Sequence, residues 1–166
     1  MKGMRRAALL LALVLLLSAC GSGETAELGG PVLWFCAGGE EDLGPALAPQ
    51  PYEGEVQPEA LLNALLAGPG QEGLYTPFPR GVTLRHWSWD EERPGVLLVS
   101  LSEQYGALTD VSLSLADYAI VLTLSQVEGV ESVEISDEGR HISYRSHQLL
   151  DAREAVLWDE LADDPS

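Results

Sequence analysis

The sequence predicts an α+β domain with the element order β-α-β-β-α-β-β, and three observations predict it. An apolar run with aromatic and β-branched members, Val32 to Ala37, opens the ordered part. Two segments, beginning at Pro58 and near Ser112, carry apolar residues at the spacing of a helix face. Val82 to Trp89, Val96 to Leu101 and Val130 to Ile135 are strand-like runs separated by turn chemistry.

The segment ahead of these elements addresses the chain rather than folding it. Lys2, Arg5 and Arg6 form a basic start, and Ala7 to Leu17 is an apolar run too short to span a bilayer as a stable helix. Residues 1–19 therefore read as a signal peptide. It closes on Leu17-Ser18-Ala19-Cys20, which resembles the lipobox of bacterial lipoproteins, where small residues admit the peptidase and the cysteine sulfur accepts a diacylglyceryl group. Several acyl chains on Cys20 would hold the protein to a bilayer, because each buried methylene adds about 0.8 kcal/mol. The expected location is the extracytoplasmic face of the bacterial cell membrane. Gly21 to Gly30 is short, polar and glycine-rich, so residues 20–30 form a lipidated flexible tether.

With Lys2, Arg5 and Arg6 removed, six of the nine basic residues remain against 26 acidic ones, a net charge of −20 for the mature chain. Such a surface repels nucleic acid and anionic headgroups, which excludes nucleic-acid binding and leaves the lipid as the membrane contact. It also keeps a protein soluble outside the cell. Cys36 is then the sole other cysteine, so no intramolecular disulfide is available. Its apolar setting, Val32-Leu33-Trp34-Phe35-Cys36-Ala37, raises a thiol pKa and disfavours a nucleophile.

Fewer than about 150 residues remain after the signal, one domain's worth, expected over 31–150. Val32 to Ala37 suits a strand buried on both faces. Gly38 to Gln57 is rich in Gly, Pro and acidic residues without periodicity, and reads as an exposed loop. Pro58 suits a first helical turn, Leu61, Leu62, Leu65 and Leu66 share one face, and Gly68-Pro69 stops the helix. Gly68 to Gly81 is an ordered loop whose prolines cannot donate to a ladder. Val82 to Trp89 and Val96 to Leu101, joined by a polar connection ending in Pro94-Gly95, make a hairpin.

Ser112 or Ser114 is expected to cap a helix running to about Val127, with Asp117 near the positive end of its dipole and Gly129 past its end. Leu113, Ala116, Ile120, Leu124 and Val127 make one stripe, and Leu115, Tyr118 and Leu122 a second, so this helix is buried on more than one side. Val130 to Ile135 returns as a strand. Ser136-Asp137-Glu138-Gly139 is a turn, and Arg140 to Arg145 alternates as a solvent-facing edge strand does. Residues 151–166 form an acidic tail in which Asp151 to Glu154 can cap a helix holding Val156, Leu157 and Leu161, while Ala155 to Trp158 reads equally as a strand.

Four ordered blocks carry a family resemblance. Leu66-Ala67-Gly68-Pro69, closing the leucine helix, is followed by Leu74-Tyr75-Thr76-Pro77-Phe78-Pro79-Arg80-Gly81-Val82-Thr83-Leu84. Val99-Ser100-Leu101-Ser102-Glu103-Gln104-Tyr105 comes next, then Ile120 to Gln126 with Val130, Val133 and Ile135. Together they resemble the GerMN domain of sporulation and spore-germination proteins over roughly Val32 to Tyr144. Ser100 stands where that family usually has aspartate, Tyr105 where it usually has phenylalanine, and one domain copy is present. The resemblance implies a compact two-layer sandwich, a small mixed sheet with two helices packed on one face, similar to the ring-building motif of sporulation channel proteins. It also implies a role in envelope protein assembly; single-copy GerMN domains occur in lipoproteins tied to cell-envelope signalling, so fold alone does not fix the process.

No catalytic signature is present: His86, His141 and His147 lack a recognisable nucleophile motif nearby. Glu40-Glu41-Asp42 and Asp90-Glu91-Glu92 lack the spacing of a calcium loop, and Gly68-Pro69-Gly70 with Gly73 lacks the lysine and glycine spacing of a phosphate cradle. The chain is expected to be no enzyme and to hold no metal or cofactor. The surface candidates are Arg85, Trp87 and Trp89, which alternation places on one face of the second strand, with Ile142 and Tyr144 on the edge strand. If Val82 and Leu84 point inward, the tryptophans lie on the open face, a composition enriched in binding hot spots; a bulge would reverse the assignment. The expected function is a lipid-anchored, non-catalytic module that pairs with itself or an envelope protein in sporulation, germination or cell-envelope complexes. The rival is an envelope lipoprotein binding a small ligand or cell-wall glycan, with Gly38 to Gln57 folding over the sheet.

Overall fold

The computed structural model describes residues 29–38, 46–142 and 149–155. The signal segment, Cys20, most of the tether, Tyr144, His147 and the tail from Val156 lie outside the described residues. The chain is α+β as expected, but its strands divide between two sheets.

The first sheet is built on β1, Val32–Ala37, whose interior positions are buried on both faces. β2, Ala46–Pro51, pairs with it antiparallel from Val32 opposite Pro51 to Ala37 opposite Ala46. This strand corrects the expectation of a loop from Gly38 to Gln57. Its composition hides it, because Leu47 is the buried side chain among its described ones and two of its six residues are proline. Pro49 and Pro51 are tolerated because β2 lies at the sheet margin, where a missing N–H costs no ladder bond. β3, Leu74–Tyr75, flanks the other side of β1 at Cys36 and Ala37.

α1, Pro58–Ala67, starts on proline and ends at Gly68, whose φ of 95° and ψ of 170° suit glycine. Leu61, Leu62 and Leu65 on one face are fully buried. α2, Asp110–Leu124, begins two residues before the expected cap. Ser112 and Ser114 do not cap it: their hydroxyls donate back to the carbonyls of Thr109 and Asp110. Asp117 likewise lies a full two turns in, 3% exposed, rather than at the helix start.

The second sheet runs in the order β4, β5, β6, β7, from β4 (Leu84–Trp89), β5 (Val96–Leu101), β6 (Ser132–Asp137) and β7 (Arg140–His141). β4 and β5 form the expected antiparallel hairpin; β5 and β6 are parallel, connected through α2. A short strand, β8 (Leu149–Leu150), pairs antiparallel with β6 at Val133 and Glu134. The fold extends past residue 150: a 3-10 turn at Ala152–Glu154 follows, and Ala155 is buried. Asp151 caps this turn, its carboxylate accepting from the Arg153 N–H at 2.9 Å, and the segment from Val156 lies outside the described residues.

α2 is the reason the sheets separate. It packs against β1 on one side and β6 on another, which explains its double apolar stripe. The flank of β1 left open beyond β3 is closed by its side chains. The Gln126 amide accepts from the Val32 N–H at 2.8 Å and donates to the Val32 carbonyl at 2.7 Å, while Thr123 Oγ1 accepts from the Trp34 N–H at 3.1 Å. A glutamine and a threonine from the end of a helix occupy the place of a neighbouring strand, satisfying backbone groups that burial would otherwise leave unpaired.

Candidate functional site

Hydrogen-bond alternation settles which way β4 faces. The Asp90 N–H donates to the Val96 carbonyl and the Ser102 N–H to the Thr83 carbonyl, marking Asp90 and Thr83 as positions whose backbone points toward β5. The register slips by one residue between Leu84 and His86, leaving Arg85 as the extra residue of a β-bulge. Residues opposite one another across a pair share a face. Leu84, Trp87 and Trp89 sit opposite Leu101, Val99 and Leu97, all of which are essentially fully buried, so these three point to the core side. His86 and Ser88 sit opposite Ser100 and Leu98 on the outer side.

Of the two placements the sequence leaves open, the bulge selects the core side for the tryptophans and separates them from Arg85. Trp87 is half-buried and packs against the core; Trp89, at the strand end, is 42% exposed beside Gly129. Arg85 turns to Glu138 at 3.2 Å, an exposed ion pair worth little in water. Ile142, expected on a solvent-facing edge, is only 3% exposed because β7 stops at His141 and the chain dips into the core. Tyr144 lies outside the described residues.

Sequence reasoning missed two features here. Arg93, read as part of a polar turn, reaches Asp90 at 2.5 Å and Glu134 at 2.6 Å, tying the β4–β5 turn to β6. Hydrogen bonds from the Glu92 backbone and the Arg93 side chain hold the Asp90 carboxyl below the usual range. The second is the groove between α1 and β4, about 230 Å³, lined by Glu59, Asn63, Leu84, Arg85, His86 and Trp87. The alternation of charge in the sequence signals neither, because Glu134 lies 41 residues from Arg93.

The remaining reactive groups have structural surroundings. His86 is exposed on the outer face of β4. Burial pushes the Cys36 thiol up, as its apolar neighbours predict. The Tyr105 hydroxyl, on a residue in the 3-10 turn Glu103–Ala107, donates to the Asp117 carboxylate at 2.7 Å inside the core. Its extra oxygen relative to phenylalanine is thus met by a buried acceptor. Among the described residues no group of three or more His, Cys, Asp or Glu is placed to hold a metal ion, and no helix is long and apolar enough to cross a membrane.

What the fold and surface define is a small α+β domain with a paired core, a groove and an unfinished sheet edge at β4. Residues 38–143, more than half of the chain, match the family described as "Germane: Sporulation and spore germination", and the chain belongs to that family. Among solved structures it is similar to the tandem GerMN domains of the sporulation protein GerM from Bacillus subtilis, with 18% identity and a TM-score of 0.57 over 82% of this chain and 51% of that one. It is also similar to the first GerMN domain of the same protein, at 13% identity and a TM-score of 0.49, over 78% of this chain and 97% of that one. The chain thus spans about half the length of the two-domain structure. No curated protein matches at the level of sequence.

Proposed function

We propose that this chain is a lipid-anchored, non-catalytic interaction module on the extracytoplasmic face of the cell membrane, held by an acylated Cys20 and pairing with protein partners in sporulation, germination or envelope complexes. The observation that carries this reading is the unfinished edge of β4. Its outward backbone groups have no hydrogen-bond partner among the described residues, and the exposed Trp89 stands beside them. Edges of this kind take up another strand, main-chain bonds giving affinity and side chains specificity. Family membership and the lipobox-like Leu17-Ser18-Ala19-Cys20 support the envelope setting. Cross-linking on intact cells, followed by identification of the captured proteins, tests it; recovery of uncoupled chain alone after exhaustive capture refutes it.

The groove favours a second reading, an envelope lipoprotein that binds a small ligand or glycan, since Trp87 lies there among Glu59, Asn63 and Arg85. At about 230 Å³ it is smaller than the usual range of roughly 300–1,000 Å³ for ligand sites, so this reading ranks second. Tryptophan fluorescence titrated with peptidoglycan fragments separates the two, and no response from any fragment removes the glycan reading.

A further inference from the structure

We propose that two copies of this chain join through β4, antiparallel, about a two-fold axis at Ser88. This names a partner for the interaction-module reading and rests on it.

Among the described residues the other edges are short, interrupted by proline or already taken. β2 carries Pro49 and Pro51, the open flank of β1 is taken by Gln126 and Thr123, and β3, β7 and β8 are two residues each. In β4, alternation from Asp90 turns Ser88 and His86 toward β5 and leaves the N–H and C=O groups of Trp87 and Trp89 pointing outward. These four groups recur on two residues flanking one serine, which is what an isologous strand pair needs.

Side chains agree with this register on both faces. With Ser88 opposite Ser88 of the second copy, Trp87 falls opposite Trp89 of the second copy, and the relation repeats across the axis. Two cross-strand aromatic pairs form on the core side and cover the exposed Trp89. On the outer face His86 comes against the acidic turn Asp90-Glu91-Glu92 of the second copy. A shift of one residue either way would oppose Trp to Ser and inward-pointing backbone to outward, so the register is specified twice over. The net charge of −20 on the mature chain opposes any self-association and is screened beyond about 8 Å at 0.15 M salt, so only this local complementarity decides the contact.

The test uses the full chain in its membrane with Ser88→Cys. Ser88 would be a non-hydrogen-bonded pair across the axis, with Cα atoms about 4.5 Å apart, inside the disulfide range of about 4.4–6.8 Å. Ser112→Cys, exposed at the start of α2, carries the same Cys20 and buried Cys36 and is the control. Mild oxidation is expected to yield a disulfide-linked dimer of S88C about tenfold or more faster than of S112C, and Trp89→Lys in the S88C chain to slow it about tenfold. If Trp89→Lys fails to fold, Trp89→Thr removes the same ring with better strand propensity. Equal rates for S88C and S112C, or a dimer indifferent to loss of the Trp89 ring, would overturn the pairing. Coupling of S88C to a different protein would also overturn it while leaving the interaction-module reading intact.

Discussion

Replacing Gln126 by leucine removes a side chain that stands in for a β-strand, and the structure sets the size of the loss. Three hydrogen bonds go: from the Val32 N–H, to the Val32 carbonyl and to the Thr123 carbonyl. A buried polar group left unpaired costs about 1–3 kcal/mol. Val32 is 8% exposed but Gln126 is only partly buried, so water can reach the vacated site and the lower end applies to each Val32 group, giving about 2 kcal/mol together, partly offset by the rotamer freedom otherwise lost in ordering Gln126. For a domain of this size that lowers Tm by roughly 6–12 °C. Gln126→Glu separates hydrogen bonding from shape. Its carboxylate still accepts from the Val32 N–H but faces two carbonyls, so its folded pKa lies above the unfolded value of about 4.3. A raised folded pKa gives stability that is fully present below the unfolded pKa and is lost as pH rises through the folded one. Gln126→Glu should therefore be as weak as Gln126→Leu at pH 7 and approach the parent near pH 4, relative to the parent at the same pH. Thermal and urea unfolding followed by circular dichroism measure this, with amide exchange at Val32 and Trp34 locating the damage. Gln126→Leu within about 0.5 kcal/mol of the parent, with those amides still protected, would refute the reasoning.

Other consequences follow from single contacts. Tyr105→Phe removes a buried hydrogen bond to a carboxylate and should destabilise by about 1.5–3 kcal/mol in urea unfolding, although phenylalanine fits the space. Gly68→Ala meets no atom within 4 Å, yet φ of 95° with ψ of 170° is a region essentially restricted to glycine, so a loss of about 1–3 kcal/mol is expected from backbone strain alone. The Arg153 side chain holds the Asp151 carboxyl down to about 2 from 3.8, so the pair contributes above pH 3.8 and its contribution fades as pH falls through 2. Because Arg153 is 88% exposed, Asp151→Asn should cost under about 1 kcal/mol at pH 7, and a pH series of melts should show the difference vanish near pH 2.

The elements that could be read in advance are those whose signal is local. The leucine face of α1 and its Gly68 stop, the β4–β5 hairpin and the double stripe of α2 come from periodicities within a dozen or so residues. β2 was missed because its place depends on β1 rather than on its own pattern, Leu47 supplying a buried anchor among prolines. Of the candidate surface, the sequence pointed to Trp87 and Trp89 but not to their face. One extra residue at Arg85 flips every side chain beyond it, and nothing in the residue types records where a bulge falls.

By itself, then, the sequence determined the α+β class, the order of the main elements, the acidic net charge and the likeness to GerMN domains. Only the tertiary structure decided that the strands form two sheets, that Ile142 is buried and that β4 is the edge left open. The reason is the range of the interactions involved. Alternation and capping act over a few residues, whereas the bonds closing β1 join Val32 to Gln126, 94 positions apart, and exist only once α2 has packed between the sheets.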